Sequence, residues 1–402
     1  MQLIKLLHKT FKKELSSVHA TRLKNLMQAS ATVINTNKLT LTALGRNLSK
    51  KGKTRSNIKK IDRLLGNTKQ HEETMSYYNV MSSYLITEGS RPWIHIDWSC
   101  VCSITKLYLL RASLTMSGRS IVIYEESHLK KKENNHATHK AFLNNLKVIL
   151  PVSVKPVIVT DAGFRAPWFD YIRRMGWEFV GRVRNKNLIR MDSTLIWQLS
   201  QSLYEGATGT PTYLGHGVLT EAQQVPAHFV LYKGKNKNRH KLNENKKRSR
   251  SSKSKRHANA HKEPWLLVTS LIPSEGIAQE VVNIYRQRMR IEENFRDTKC
   301  TRYGFGLKES RSRSTERMKV LLLIAAIATF ACWLAGLFTR LYGDAASYQA
   351  HSSKFISVLS SVYLGREALK KGFKITKKQF ISILRILFDI NIAAQLETAT
   401  YE

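Results

Sequence analysis

The stretch YRQRMRIEENFRDTK carries four groups that could act together on a phosphate: Tyr285, Arg288, Glu292 and Lys299. At about 100° per residue they fall within an arc of roughly 60° on one helix. A hydroxyl, a guanidinium, a carboxylate and an ammonium then share a single face. Ile284, Ile291 and Phe295 form an apolar stripe beside it, which puts the polar face at the edge of a core. Glu293 and Asp297 point elsewhere on the same projection, so Glu292 is singled out. One carboxylate among cations suits a site that holds a metal ion together with a phosphate.

Two aspartates are candidates to join it. Asp97 follows the apolar run WIHI and Asp161 follows VIVT. Each is expected at the end of a buried strand, on the rim of a sheet. Taken alone, an aspartate there more often serves as a cap or turn residue. As a set with Glu292, the two supply hard oxygen ligands of the kind Mg²⁺ takes, leaving positions for water and phosphate oxygens. Two such ions about 3.5–4 Å apart activate an attacking oxygen and stabilise a leaving one in line. No Ser–His or Cys–His arrangement competes as the nucleophile.

The composition supplies a partner for that chemistry. Lys and Arg number 66 against 29 Asp and Glu, a formal charge of +37. Self-repulsion of that size calls for a polyanion, and nucleic acid is the expected one, ahead of an anionic membrane surface. Cys100, Cys102, Cys300 and Cys332 match neither zinc nor disulfide spacing, as in a reducing cytosol. MQLIKLLHKTFKKEL reads as a short basic amphipathic helix without the apolar core of a secretory signal. Val320 to Phe338 carries no charge over 19 residues, enough for a marginal membrane span. Its alanines, its basic flanks (Arg317, Lys319 and Arg340) and the lack of a second span predict a buried helix of a soluble protein instead.

Along the chain, the first 90 residues read as helices. Thr40 to Asn67 has the cadence of a helix-turn-helix: Thr42, Leu44 and Leu48 in one short helix, a basic turn at Lys50 to Lys53, and Ser56 capping a second. That second helix carries Lys59, Lys60 and Arg63, with Lys59 and Arg63 the candidate DNA contacts; an ordinary helical hairpin is the alternative. After Arg91 the pattern turns to strands. WIHIDWSCV comes first, then KLYLLRASLTM and RSIVIYEES as a hairpin about Ser117 and Gly118. A helix from about His136 to Leu150, the apolar strand PVIVTDAGF, a helix at Ala166–Met175 and the strand EFVGRVR follow. Arg182 and Arg184 share one face of that last strand and are further candidates for DNA contact.

Residues 185 to 264 are polar and turn-rich, with strand candidates such as HFVLYK. The run from Lys233 to Lys262 cannot bury a core and is expected to be disordered without a polyanion. PWLLVTSLI, the signature helix, the apolar helix and a helical C-terminus complete the chain; there Thr376 and Gln379 form a capping box. The expected domains are a helical DNA-binding region at 1–90, a catalytic domain at 91–310 with an insertion at about 185–264, and a helical region at 311–402.

The spacing Y-x2-R-x3-E-x6-K of Tyr285, Arg288, Glu292 and Lys299 resembles the signature of bacterial insertion-sequence DDE transposases of the cut-and-paste type. IDWS at Asp97 and VTDAGF at Asp161 resemble that family's first and second catalytic blocks, and the resemblance runs from about residue 20 to 370. It implies an α/β fold with a ribonuclease-H-like catalytic core and a β-rich insertion, flanked by helical N- and C-terminal regions. Asp161 and Glu292 lie 131 positions apart, which suits an inserted domain better than a bare loop.

The same resemblance implies site roles. Asp97, Asp161 and Glu292 would be ligands of two Mg²⁺ ions, with Mn²⁺ as a substitute. Tyr285, Arg288 and Lys299 would hold phosphates near the scissile bond. Trp265 would stack a base flipped out of a hairpin; a core tryptophan is the alternative. An activated water would nick one strand, and the freed 3′-OH would attack the other to give a hairpin. The hairpin is reopened before the ends are joined to target DNA. The expected partners are terminal inverted repeats and target DNA, bound by a homodimer in the bacterial cytoplasm on nucleoid DNA, with no membrane role. The basic run at 233–262 is the poorest match. A DNA-binding descendant without catalysis is the rival reading, and the complete set of carboxylates and signature residues favours the enzyme.

Overall fold

The computed structural model describes residues 1–48, 52–102, 106–116, 119–184, 187–235, 247–249, 251, 252, 254, 262–350 and 358–387. The basic turn at Lys50, the hairpin turn at Ser117 and Gly118 and most of the 233–262 run lie outside these. The chain divides into two compact units, one of residues 1–156 with 289–402 and one of residues 157–288.

The first unit opens with α1 (Gln2–Glu14), α2 (Ala20–Thr36), α3 (Leu41–Asn47), α4 (Thr54–Leu65), α5 (Thr68–Glu72) and α6 (Thr74–Ser83). Apolar positions at helical spacing decide which faces are covered: α1 buries Leu3, Ile4, Leu7 and Phe11. Thr40 caps α3, its hydroxyl accepting from Ala43 N at 3.2 Å. α4 differs from expectation at its start. Lys53 is the last extended residue and stands at the N-cap, so the chain turns helical before Ser56, which lies inside the first turn and does not cap it.

β1 (Trp93–Cys102), β2 (Leu107–Met116) and β3 (Arg119–Leu129) form an antiparallel meander in the order β3-β2-β1, followed by α7 (His136–Ile149). Asp97 is therefore mid-strand and not at a strand end. It stands in register with Arg111 on β2. The apolar run WIHI marks a buried stretch, but the strand continues past it because Trp98 to Cys100 keep pairing with β2.

In the second unit, β4 (Val157–Thr160), α8 (Ala166–Arg174) and β5 (Glu178–Val183) make a parallel β-α-β unit. All four β4 residues are buried, the expected fate of an unbroken apolar run. Asp161 follows immediately. β6 (Leu188–Met191), β7 (Trp197–Leu199), β8 (Thr212–Leu219), β9 (Val225–Tyr232) and β10 (Trp265–Thr269) extend the sheet in the order β4-β5-β10-β9-β8-β6-β7, and α9 (Ile277–Arg286) closes the unit.

The signature stretch is not one helix. It splits at residues 287–288 between α9 and α10 (Met289–Lys299). At the break, Gln287 N bonds Ile284 O at 3.2 Å and Arg288 N bonds Tyr285 O at 3.0 Å. These three-residue bonds tighten the turn and end the regular ladder. Tyr285 and Arg288 thus belong to the second unit and Glu292 and Lys299 to the first, so the single-face projection does not hold. No glycine or proline marks the break, which left the sequence pattern continuous.

The first unit resumes with α10, then α11 (Thr315–Tyr342) and α12 (Ser361–Lys370), with a further helix at 377–387. α11 is long and apolar enough to cross a membrane by length and composition, yet its apolar window is wholly buried inside the protein. It packs on α2, β3 and α12. Two glycines permit the closest crossing: a Cβ at Gly336 would stand 1.8 Å from Ser361 O, and one at Gly365 1.8 Å from Cys332 O. The capping box forms as expected, with Gln379 N on Thr376 Oγ1 at 3.2 Å and Thr376 N on Gln379 Oε1 at 3.0 Å.

Candidate active site

In the first unit the site is built on β1 and α10. Asp97 is half-buried, and its Oδ1 accepts from Trp98 N at 2.8 Å. Ser99 lies two residues on, so it shares the strand face of Asp97. Lys299 reaches that face from the last turn of α10, donating to Ser99 Oγ at 2.5 Å and to Cys100 O at 3.2 Å. Its ammonium also sits 5.3 Å from the centre of the Phe295 ring. Burial, with the like charges of Lys308 and Arg111, holds the Lys299 pKa down to about 8, while Cys100 and Asp97 pull the other way. Glu292 is exposed, two turns before Lys299 on the same face of α10.

Side chains absent from the sequence-based set fix α10 in place. Arg111 is 1% exposed. It donates to Glu125 Oε2 at 2.7 Å and to Thr298 Oγ1 at 3.2 Å, and it also bonds Asn294 Oδ1. Its guanidinium stands over Phe295. Arg119, at the start of β3, holds Glu293 at 2.6 Å and Asp297 at 2.9 Å. Asn294 Nδ2 donates to Ser120 O at 2.9 Å, and Arg290 Nη1 to Met116 O at 2.6 Å. Glu293 and Asp297 are thus spent on anchoring, and Glu292 lies exposed on α10. The one available sequence signal was a lone charge, Arg111, within an otherwise apolar strand.

Asp161 Oδ1 accepts from Gly163 N at 2.8 Å. Tyr285 is buried at 4% exposure, with the Arg288 guanidinium 5.9 Å from its ring centre. Burial raises the Tyr285 pKa, although Arg288, which bonds the hydroxyl, and Arg182 both favour the phenolate; Asp161 opposes it. The hydroxyl therefore sits among Arg288, Arg182 and Asp161 as a neutral donor. Trp265 packs edge-on against Tyr285, ring centres 4.9 Å apart, and is half-buried.

Arg182 and Arg184 both turn to one acid. Arg184 Nη2 lies 2.6 Å from Glu263 Oε2, and Arg182 Nη2 bonds Pro264 O at 3.1 Å. The pair clamps the entry to β10 just before Trp265. In the N-terminal region, Lys59 and Arg63 lie exposed one turn apart on α4, beside Arg55 one turn earlier. Asp62 on that helix is tied to Arg317 at 2.6 Å.

A family model described as a transposase DDE domain matches residues 105–330. That span is more than half of the 402 residues and takes in Asp161, Trp265 and the whole signature stretch. The chain belongs to the transposase DDE domain family. A DDE transposase acts on DNA and generally uses divalent metal ions, and its catalytic domain is ribonuclease-H-like; the mixed α/β architecture agrees. The match begins after Asp97, so that residue's place rests on its own geometry. No match to a curated protein was found.

The donor chemistry of this DDE transposase suits Mg²⁺. Among the described residues no three His, Cys, Asp or Glu side chains come together as a metal cage. Mg²⁺ rarely takes one: it binds through one or two carboxylates and fills its shell with water and substrate phosphate. Asp97 and Asp161 are half-buried and Glu292 is exposed.

Proposed function

We propose that this DDE transposase catalyses cut-and-paste transposition of a bacterial insertion sequence, with Asp97, Asp161 and Glu292 as the oxygen ligands of two Mg²⁺ ions. The reading rests on the groups that stand near each aspartate. Asp97 has Lys299 on its strand face, and Asp161 shares the surroundings of Tyr285 with Arg288 and Arg182. Carboxylate beside cation is what a joint metal and phosphate site requires. Bound Mg²⁺, which Mn²⁺ could replace, would activate the attacking oxygen and stabilise the leaving one.

The protein's own groups hold the substrate. Lys299 places a positive charge against a non-bridging phosphate oxygen, its ammonium beside the Phe295 ring and one N–H left to turn outward. Tyr285, kept neutral by burial, donates from its hydroxyl, and Arg288 supplies a fork of donors matched to phosphate. Trp265 offers a face for a base flipped during hairpin formation and resolution. Lys59 and Arg63 on α4 would contact the terminal inverted repeat, and Arg182 and Arg184 the flanking backbone. The segments LTLTALGRNL, IKKIDRLLGN, LLRAS and CWLAG resemble the transposase of the insertion sequence that flanks the tetracycline-resistance composite transposon, and they support a reading close to it. It would act as a DNA-assembled homodimer in the bacterial cytoplasm.

The test is incubation of the protein with the element's own end DNA and Mg²⁺, comparing wild type with Asp97→Asn. Nicks, hairpins and double-strand breaks from wild type alone are expected. No product from wild type would overturn the reading, and equal cleavage by Asp97→Asn would overturn the site.

A further inference from the structure

Beside α10, on the first unit, lies a cavity of about 370 Å³, within the range of roughly 300–1,000 Å³ usual for small-ligand sites. Its walls include Arg296, Arg366, Tyr303 and Tyr363, with Asp297 and Arg119 at one side. Asp297 and Arg119 pair with each other at 2.9 Å, and Arg366 Nε pairs with Glu367 Oε1 at 3.3 Å, so Arg296 is the exposed cation of the wall. Arg366 is 6% exposed, its Nη1 held by Tyr303 O at 3.2 Å and its guanidinium 4.8 Å from the Tyr363 ring centre. Arg302 stands likewise 5.2 Å from the Tyr303 ring centre. Tyr303 is 53% exposed and Tyr363 39% exposed, so both rings can be reached from solvent. Arg296 is exposed and follows Glu292 by one turn of α10.

We infer that this cavity takes an unpaired nucleotide of a DNA strand, its phosphate on Arg296 and its base against Tyr303 or Tyr363. The inference rests on the DNA-processing reading above. Tyrosine faces with arginines beside them are the surfaces on which bases of single strands stack, without regard to sequence. A duplex is too wide for the cavity and hides its base faces, so an overhang or a splayed end is the form that fits. Because Arg296 shares the face of Glu292, a strand seated here runs on past the proposed catalytic carboxylate.

Full-length protein without Mg²⁺ is titrated with a single-stranded oligonucleotide carrying 5-iododeoxyuridine, the corresponding blunt duplex, and free dTMP. Preferential binding of the single strand is expected, with light-induced crosslinks mapping to Tyr303 or Tyr363. Tyr363→Ala should weaken that binding about five-fold or more, and Tyr363→Phe should restore it. Arg296→Gln, at an exposed position where folding is not at stake, should lower the salt dependence by about one phosphate contact. Crosslinks confined to other sites, unchanged single-strand affinity in both Tyr363→Ala and Arg296→Gln, or binding of dTMP without the oligonucleotide would overturn the inference. Cleavage by wild type with Mg²⁺ is scored separately. Loss of cavity binding alone removes this inference, and loss of cleavage alone removes the catalytic reading.

Discussion

The Lys299 ammonium lies 2.5 Å from Ser99 Oγ, two residues beyond Asp97 on the same strand face. Helix α10 is thereby joined to strand β1 at the point where a phosphate would sit. Lys299 is charged below its pKa of about 8, so affinity for the DNA end should fall as pH rises through that value. Lys299→Arg should remove the dependence. Folding has its own sign. The unfolded lysine holds its proton up to about pH 10.4, so between about 8 and that value the unfolded state binds more protons and stability rises with pH. Below about 8 the full cost of burying the charge is present. Lys299→Met should therefore raise Tm at pH 7 while weakening DNA binding; a lower Tm would refute this account.

Glu292 and Glu293 are neighbours with different duties. Glu292→Gln should abolish cleavage in a protein that still folds. Glu293→Gln loses half of the Arg119 clamp, worth about 0.2–1 kcal/mol for an accessible pair, and should still cleave. Reversed activities, measured on end DNA, would move the carboxylate assignment by one residue.

Arg111→Ala should cost about 3–5 kcal/mol, because it leaves Glu125 buried without its cation. Arg111→Met combined with Glu125→Leu should recover much of that stability. It should not recover cleavage, since Asn294 and Thr298 of α10 lose the group that fixes them to β2. Chemical denaturation and end cleavage separate the two effects.

Protonating His139 should loosen the packing beside Asp97. Its Nε2 accepts the indole N–H of Trp98 at 2.9 Å, and burial holds its pKa down to about 4. Between about 4 and the ordinary value near 6.5 the unfolded state binds the extra proton, so stability is lost as pH falls across that window. Replacement by an uncharged residue, His139→Gln, should flatten the Tm profile between pH 4 and 6.5. An unchanged slope would show that other groups set it.

Gly336→Ala should cost about 1–3 kcal/mol or more, since the added methyl meets the Ser361 carbonyl. Gly365→Ala should match it from the other helix. Tm close to wild type in both would mean that the α11–α12 crossing relaxes freely.

Much of this protein was legible in its residues. Alternation and apolar runs marked β1 to β5, because a strand half or wholly covered must repeat its burial in its sequence. The capping box at Thr376 was local, set by hydrogen-bond geometry, and the alanines and basic flanks of Val320 to Phe338 pointed to a buried helix. The proposed site carboxylates and the signature spacing were visible as residue types. Tertiary structure decided what no local pattern encodes. It broke the signature helix at residues 287–288, where no glycine or proline signals a stop, and it carried β1 past Asp97 through pairing with β2. Arg111 and Arg119 became anchors because strands and helix far apart in sequence met around them. A buried guanidinium takes its role from the partners that desolvate and bond it, and those partners are set only once the chain has folded.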